Sequence, residues 1–188
     1  PKVDDYGDYL YIVAHFFDCD GPTGSISSDQ VSIVLGADFV LTFQERPTGT
    51  FAPLRERLRG DKGQIRKLGP DYLAYSLLDT LVDRYFVVLE RMTERTEDIE
   101  DRLLQKAAPA LLKEIHELKR EALVLRRAVW PLREVINVLA RADQRFFKPA
   151  TQPYLRDVYD HTVHVIETLE GIRDLIAGML DIYLSAIS

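Results

Sequence analysis

The residues of this sequence best suited to binding a metal ion are Asp157, His161 and His164. They are four and three positions apart, so on a helix all three side chains point along one face and can approach a single ion. Imidazole ligands suit zinc and other transition metals. The simpler interpretation is a polar stripe that faces solvent or a neighbouring helix. The sequence leaves both interpretations open.

A site for a hard cation is a further interpretation of the same segment. Asp157 and Asp160 flank Tyr159, and carboxylate oxygens are the ligands that Mg²⁺ and Ca²⁺ prefer. Because Mg²⁺ keeps several waters and takes only one or two carboxylates, such a site needs a second carboxylate from elsewhere in the protein.

Two other acidic features have competing interpretations. The segment 90–101 holds six acidic residues against two basic ones. We interpret it as the solvated end of a helical hairpin, since exposed charge pairs contribute little each, although it could attract cations. Asp181 is the one charged residue within 175–188. It either lies exposed at a helix end or lines an aqueous passage at a symmetry axis.

The sequence contains no recognisable enzyme motif. The sequence has no glycine-rich phosphate loop, no Cys-x-x-Cys pair and no nucleophile elbow. Cys19 stands between Asp18 and Asp20, and their charges raise the pKa of a thiol, which is the opposite of what a nucleophile needs. We therefore expect a structural cysteine and a protein that is not an enzyme.

The elements that must position these residues divide the chain into two parts. Residues 1–69 contain turn clusters between β-rich runs, with alternating apolar positions typical of a half-buried sheet. This part predicts strands over 9–18, 30–35 and 39–44, a turn over 20–24 and a short helix over 53–59. Residues 70–188 have the 3.6-residue period of helices, and predict helices over 70–105, 109–142 and 151–188.

The third long helix has a heptad seam whose spacings alternate between 4 and 3 from Val158 to Ala186. Further apolar residues lie outside that seam, and they predict contacts with copies of the same helix: Leu155, Ile166, Leu175, Leu180, Leu184 and Ile187. We therefore expect a coiled coil and a homo-oligomer. In the second helix, Pro131 removes a backbone hydrogen bond and favours a kink.

The composition is that of a soluble globular protein. The 188 residues are 46% hydrophobic and 29% charged, with 24 basic and 30 acidic side chains and a net charge of −6. No run approaches the roughly 20 apolar residues of a membrane-spanning helix. A single cysteine excludes an intrachain disulfide and favours a reducing compartment, and the acidic balance argues against nucleic acid as a partner. Together with the element pattern, this predicts an α+β fold.

Several blocks of this sequence resemble one family. Residues 154–162 and 173–188 resemble the stalk helix of CorA-type magnesium transport proteins, and further similarity lies in 53–58, 71–86 and 130–134. The resemblance covers the whole chain in order. It implies a funnel-type cytosolic domain with a partial α/β sheet over 1–69. Two willow helices and a stalk helix then form 70–188, which ends where the first transmembrane span should begin.

The resemblance therefore implies a piece of a longer membrane protein. We expect the two spans, the Gly-Met-Asn signature and the first part of the α/β domain to lie outside this chain. The full protein would be a pentamer in the cell membrane, attached through the spans, with this piece on the cytoplasmic side.

The resemblance also assigns site residues. It implies a regulatory divalent site at Asp157 between subunits and a second site at Asp79, with partner carboxylates from an N-terminal segment that the chain lacks. Asp181, Leu184 and Ser188 fall at pore-lining positions. The function implied is an ion-sensing and gating domain of a Mg²⁺ channel or transporter, with Co²⁺ as a second candidate ion, in which ions bound between subunits close the pore.

The residues also fit two alternative functions. A Zn²⁺ or other transition-metal transporter of the same family is one, because His161 and His164 suit those ions better than Mg²⁺. A helical oligomerisation module without any ion role is the other.

Overall fold

A computed structural model describes residues 1–20, 24–61, 63–141 and 145–187. A four-stranded antiparallel sheet is followed by a short helix and three long helices, which is the α+β fold that the sequence predicts. The strands are β1 (Lys2–Asp5), β2 (Tyr9–Asp20), β3 (Ser25–Gly36) and β4 (Val40–Gln44). The helices are α1 (Ala52–Arg59), α2 (Pro70–Gln105), α3 (Pro109–Arg141) and α4 (Gln152–Ile187).

The sheet has the strand order β1-β2-β3-β4. Its longest pairing joins β2 to β3, from Tyr9 opposite Gly36 to Asp20 opposite Ser25. Alternate residues of these two strands are buried on one face, because side chains two positions apart share a face of a sheet: Leu10, Ile12, Ala14, Val31, Ile33 and Leu35. The turn predicted over 20–24 falls largely on residues 21–23, which lie outside the described residues.

The three long helices pack side by side. Tyr72 near the start of α2 contacts Tyr154 near the start of α4, and Phe86 further along α2 contacts His164 further along α4. These two helices therefore run in the same direction. α3 runs antiparallel to both, since Arg102 at the end of α2 pairs with Glu114 near the start of α3. Pro131 lies inside α3, which continues through it.

One hydrophobic core extends from the sheet into the helices. The α4 seam from Val158 to Tyr183 is buried within the chain, against α2 and α3. Leu155 and Ile166 are buried in this core as well, so the prediction that they contact other copies is wrong for these two residues. The predicted division at residue 70 coincides with the start of α2, and two separate domains stay a prediction.

None of the helices in the described part of the chain combines the length and the apolar character that a membrane crossing needs.

Candidate metal centre

Three potential metal ligands meet where α2 packs against α4. One ligand atom each from Asp79, Asp83 and His161 can be chosen so that all three lie within 4.8 Å of one another. Asp79 and Asp83 are one helical turn apart and therefore share a face of α2, and His161 reaches them from α4. Asp79 is half-buried, and the other two side chains are exposed.

The electrostatics of the cluster centre on Asp79. Burial raises the pKa of this carboxyl, and the charge of Asp83 raises it further. His161, a hydrogen bond from Tyr75 and the charge of Arg57 act in the opposite direction but do not cancel the rise in pKa. Two carboxylates that repel each other across so short a distance favour a cation or a proton between them.

An aromatic cluster borders Asp79. The Tyr75 hydroxyl donates a hydrogen bond of 3.4 Å to Asp79 Oδ2. The rings of Tyr72, Tyr75 and Tyr154 contact one another with centroid distances of 5.1 to 5.2 Å. Burial raises the pKa of Tyr75, and the charges of Asp79 and Asp157 add to that rise.

The second histidine of the sequence motif has a different environment. His164 is exposed, its ring contacts Phe86 at 5.6 Å, and its Nδ1 lies 3.8 Å from Glu167 Oε2. Phe86 also contacts His161, with the centroids 6.3 Å apart. In the part of the chain that the structure describes, His164 does not belong to the group of three ligands.

The structure brings together two of the predicted site residues, Asp79 and His161, and adds Asp83, which was not among the predicted ligands. The signal for Asp83 was available, because it follows Asp79 by four positions on a predicted helix. Asp157 is exposed and outside this group of three, although its charge reaches Tyr75.

The predicted pore-lining residues lie at the other end of α4. Asp181 and Leu184 are exposed and three positions apart, so they share one face of the helix. Ser188 lies outside the described residues. The role of all three stays a prediction.

Cys19 lies in β2 and is partly buried. Burial raises the pKa of its thiol, and the charge of Asp18 raises it further. A raised pKa leaves little thiolate at neutral pH, as expected for a structural cysteine.

The ligand types of the cluster, two carboxylates and one imidazole, determine which metal ions it can bind. Two carboxylates can hold a hydrated Mg²⁺, which binds few protein ligands directly and keeps waters in its other positions. The imidazole extends the range to Co²⁺ and Zn²⁺, which accept nitrogen ligands more readily than Mg²⁺ does. The partial exposure of the cluster leaves room for waters or for ligands from another chain.

The comparisons with known proteins identify the family and agree with the fold. The sequence profile of the family described as "CorA-like Mg2+ transporter protein" matches residues 1–188, and the chain belongs to this family. The family is one of transporters and not of enzymes, in agreement with the sequence-based prediction.

A curated relative is the cobalt/magnesium transport protein CorA of Thermotoga maritima. It is 43% identical over 188 residues, which are 100% of this chain and 54% of that protein. The chain therefore spans about half the length of this relative.

Two solved structures share the fold. The soluble domain of CorA from Methanocaldococcus jannaschii aligns with a TM-score of 0.86 at 20% identity, over 99% of this chain and 74% of that one. The complete structure of the CorA magnesium transporter from the same organism aligns with a TM-score of 0.86 at 19% identity, over 98% of this chain and 58% of that one.

Proposed function

We propose that this chain is the cation-sensing part of a divalent cation transport protein, with Mg²⁺ or Co²⁺ as the transported ion. Membership of the CorA-like family supports the transport role, and the name of the Thermotoga maritima relative supports the choice of ions. The chain would lie on the cytoplasmic side of the cell membrane, with residues 1–69 as an α/β domain and 70–188 as willow and stalk helices.

The observation that carries the sensing role is the cluster of Asp79, Asp83 and His161. Its two carboxylates repel each other and its half-buried member has a raised pKa, so a divalent cation would relieve an unfavourable interaction. A site with few direct ligands and retained waters binds weakly, which suits the sensing of an abundant ion.

Gating would follow from sites shared between subunits. In a pentamer, Asp157 would face carboxylates of a neighbouring subunit, and an ion between them would hold the pore closed. Loss of the ion would restore repulsion and favour an open state, so the ion acts as a ligand with different affinities for two conformations. Asp181, Leu184 and Ser188 would line the cytoplasmic end of the pore.

The test is a titration of the purified chain with Mg²⁺ and Co²⁺, followed by calorimetry and thermal unfolding. An ion at 100 times its dissociation constant stabilises a protein by about 2.7 kcal/mol, or roughly 5–10 °C in Tm for a chain of this size. We expect the variant with both Asp79→Asn and Asp83→Asn to lose this stabilisation.

The control for that variant is Asp174→Asn, which removes one exposed carboxylate of α4 at a distance from the cluster. It should respond to cations as the wild-type chain does. An unchanged response of the double variant, or no response of the wild-type chain, would reject the proposal. The second of these results would favour a helical oligomerisation module without an ion role.

A Zn²⁺ transporter of the same family is the second candidate, because His161 contributes a nitrogen ligand to the cluster. The same titration with Zn²⁺ decides between them. A Zn²⁺ site built on His161 requires that His161→Ala abolish Zn²⁺ binding while Mg²⁺ binding persists. If Zn²⁺ is instead bound by both His161 and His164, as the sequence suggests, His164→Ala should also abolish Zn²⁺ binding.

A further inference from the structure

Tyr75 lies next to the cluster of Asp79, Asp83 and His161, and the proposed function gives it no role. It lies one helical turn before Asp79 on α2, and its hydroxyl donates a hydrogen bond to Asp79 Oδ2 over 3.4 Å. A carboxylate has two oxygens, and a hydrogen bond to one of them restricts rotation about the bond that carries both. This favours orientations in which the other oxygen, Oδ1, is available to an ion.

The ring of Tyr75 is held in place independently of that hydrogen bond. It contacts Tyr72 and Tyr154 with centroid distances of 5.2 Å each, and these two rings meet edge to face at 5.1 Å. Tyr72 is buried on α2, and Tyr154 belongs to α4. The phenol is therefore fixed by both helices that supply the ligands.

A phenol carries its proton at neutral pH, so the Tyr75 hydroxyl is a hydrogen-bond donor. Its acceptor is the Asp79 carboxylate on α2, and the Tyr75 ring packs against Tyr154 of α4.

We infer that Tyr75 is a positioning residue for the cation cluster. Its hydroxyl holds the Asp79 carboxylate so that Oδ1 is presented to an ion shared with Asp83 and His161. This inference rests on the proposed function, since it concerns the same cluster. Partners that orient a metal ligand in this way are typically worth 10-fold to 100-fold in metal affinity.

The experiment compares Tyr75→Phe with Tyr154→Phe in a Co²⁺ titration of the whole chain, measured by calorimetry and by the visible absorption of bound Co²⁺. Both variants keep the aromatic ring and lose a hydroxyl, but only Tyr75 donates to Asp79 among the described residues. We expect Tyr75→Phe to bind Co²⁺ about tenfold more weakly and Tyr154→Phe to match the wild-type chain. Equal affinities of Tyr75→Phe and wild type, or equal losses in both variants, would overturn the inference.

Asp79→Asn separates this result from the proposed function. If Asp79→Asn binds Co²⁺ as the wild-type chain does, the cluster itself is not the site. If it loses binding while Tyr75→Phe does not, only the positioning role fails. The Tm without cations shows whether Tyr75→Phe is folded. A further readout needs no variant of Tyr75: Co²⁺ should shift the tyrosine ultraviolet absorption of the wild-type chain, and absence of that shift would count against the inference.

Discussion

Asp79 is the member of the cluster whose surroundings disfavour the ionised form of the carboxyl group. Burial, and then the charge of Asp83, raise its pKa above the ordinary value for aspartate, which is about 3.9. An acid whose pKa is raised by folding binds more protons in the folded state than in the unfolded state between those two pKa values. Its contribution to stability is therefore present below the ordinary pKa and is lost as the pH rises through the folded-state pKa.

We predict that Asp79→Asn raises the Tm of the cation-free chain at about pH 7. The amide carries no charge, and its oxygen can still accept the hydrogen bond from Tyr75. The gain should vanish at about pH 3, where the aspartate is protonated in both states. Thermal unfolding in the presence of a chelator across this range measures the difference. A variant less stable than the wild-type chain at neutral pH would contradict the prediction.

The sequence predicted individual ligands of the cluster better than their grouping. Asp79 and His161 were predicted as site residues, yet they were assigned to different sites. Which side chains of α4 face α2 depends on the rotation of α4 about its axis. The buried residues Val158, Thr162 and Val165 fix that rotation, and the spacing of polar residues alone does not give it. Asp83 lies on α2 one turn after Asp79, so its place beside Asp79 was predictable, and only its approach to His161 depends on how α4 packs.

The start of α2 is joined to the segment before α4 by a buried carboxylate. Asp71 is 2% exposed, and its Oδ2 accepts hydrogen bonds from the Lys148 backbone N–H at 3.0 Å and from the Thr151 hydroxyl at 2.7 Å. Gly69, just before α2, has φ +97°, and a Cβ there would lie 3.2 Å from Lys148 Nζ. Asp71 also lies in the first turn of α2, where a negative charge is favourable.

We predict that Asp71→Ala lowers the free energy of unfolding by about 2–4 kcal/mol, because the buried Thr151 hydroxyl and the part-buried Lys148 N–H both lose their acceptor. Thr151→Val, which removes one of the two hydrogen bonds and keeps the shape of the side chain, should cost about 1–2 kcal/mol. Urea unfolding followed by circular dichroism measures both. A loss below 1 kcal/mol for Asp71→Ala would show that the two segments are held together by other contacts.

Element boundaries were predictable where the sequence marks them. The predicted start of α2 at Pro70 agrees with the structure, because proline is tolerated in the first turn of a helix. The sheet was harder. β1 has four residues, three of them charged, and β3 begins at Ser25 with a polar segment. Both are held in the sheet by pairing with β2, and the residue types within each segment do not by themselves indicate that pairing.

At the level of the whole molecule, exposed apolar surface favours the association of several copies, and the net charge opposes it. Four large apolar side chains in the last part of α4 are 37–57% exposed: Leu175, Ile182, Leu184 and Ile187. They favour contact with further copies of the chain, because burying them would remove apolar surface from water. The net charge of −6 per chain opposes it, because five copies would carry −30, five times −6.

These opposing effects predict that association of the chain depends on divalent cations more than on ionic strength. Salt screens repulsion between exposed charges, but a divalent cation also binds between carboxylates. Sedimentation velocity at equal ionic strength, with Mg²⁺ or with Na⁺ alone, should therefore show larger assemblies with Mg²⁺.

The contribution of the apolar side chains is tested by a variant with both Leu175→Glu and Ile187→Glu, which should form smaller assemblies than the wild-type chain in both salts. Leu104→Glu, which alters an apolar side chain that is 68% exposed near the end of α2, is the matched control and should associate as the wild-type chain does. Equal assembly in Na⁺ and Mg²⁺ would mean that the contacts between copies are apolar alone, and that the cluster on α2 and α4 acts within a single chain.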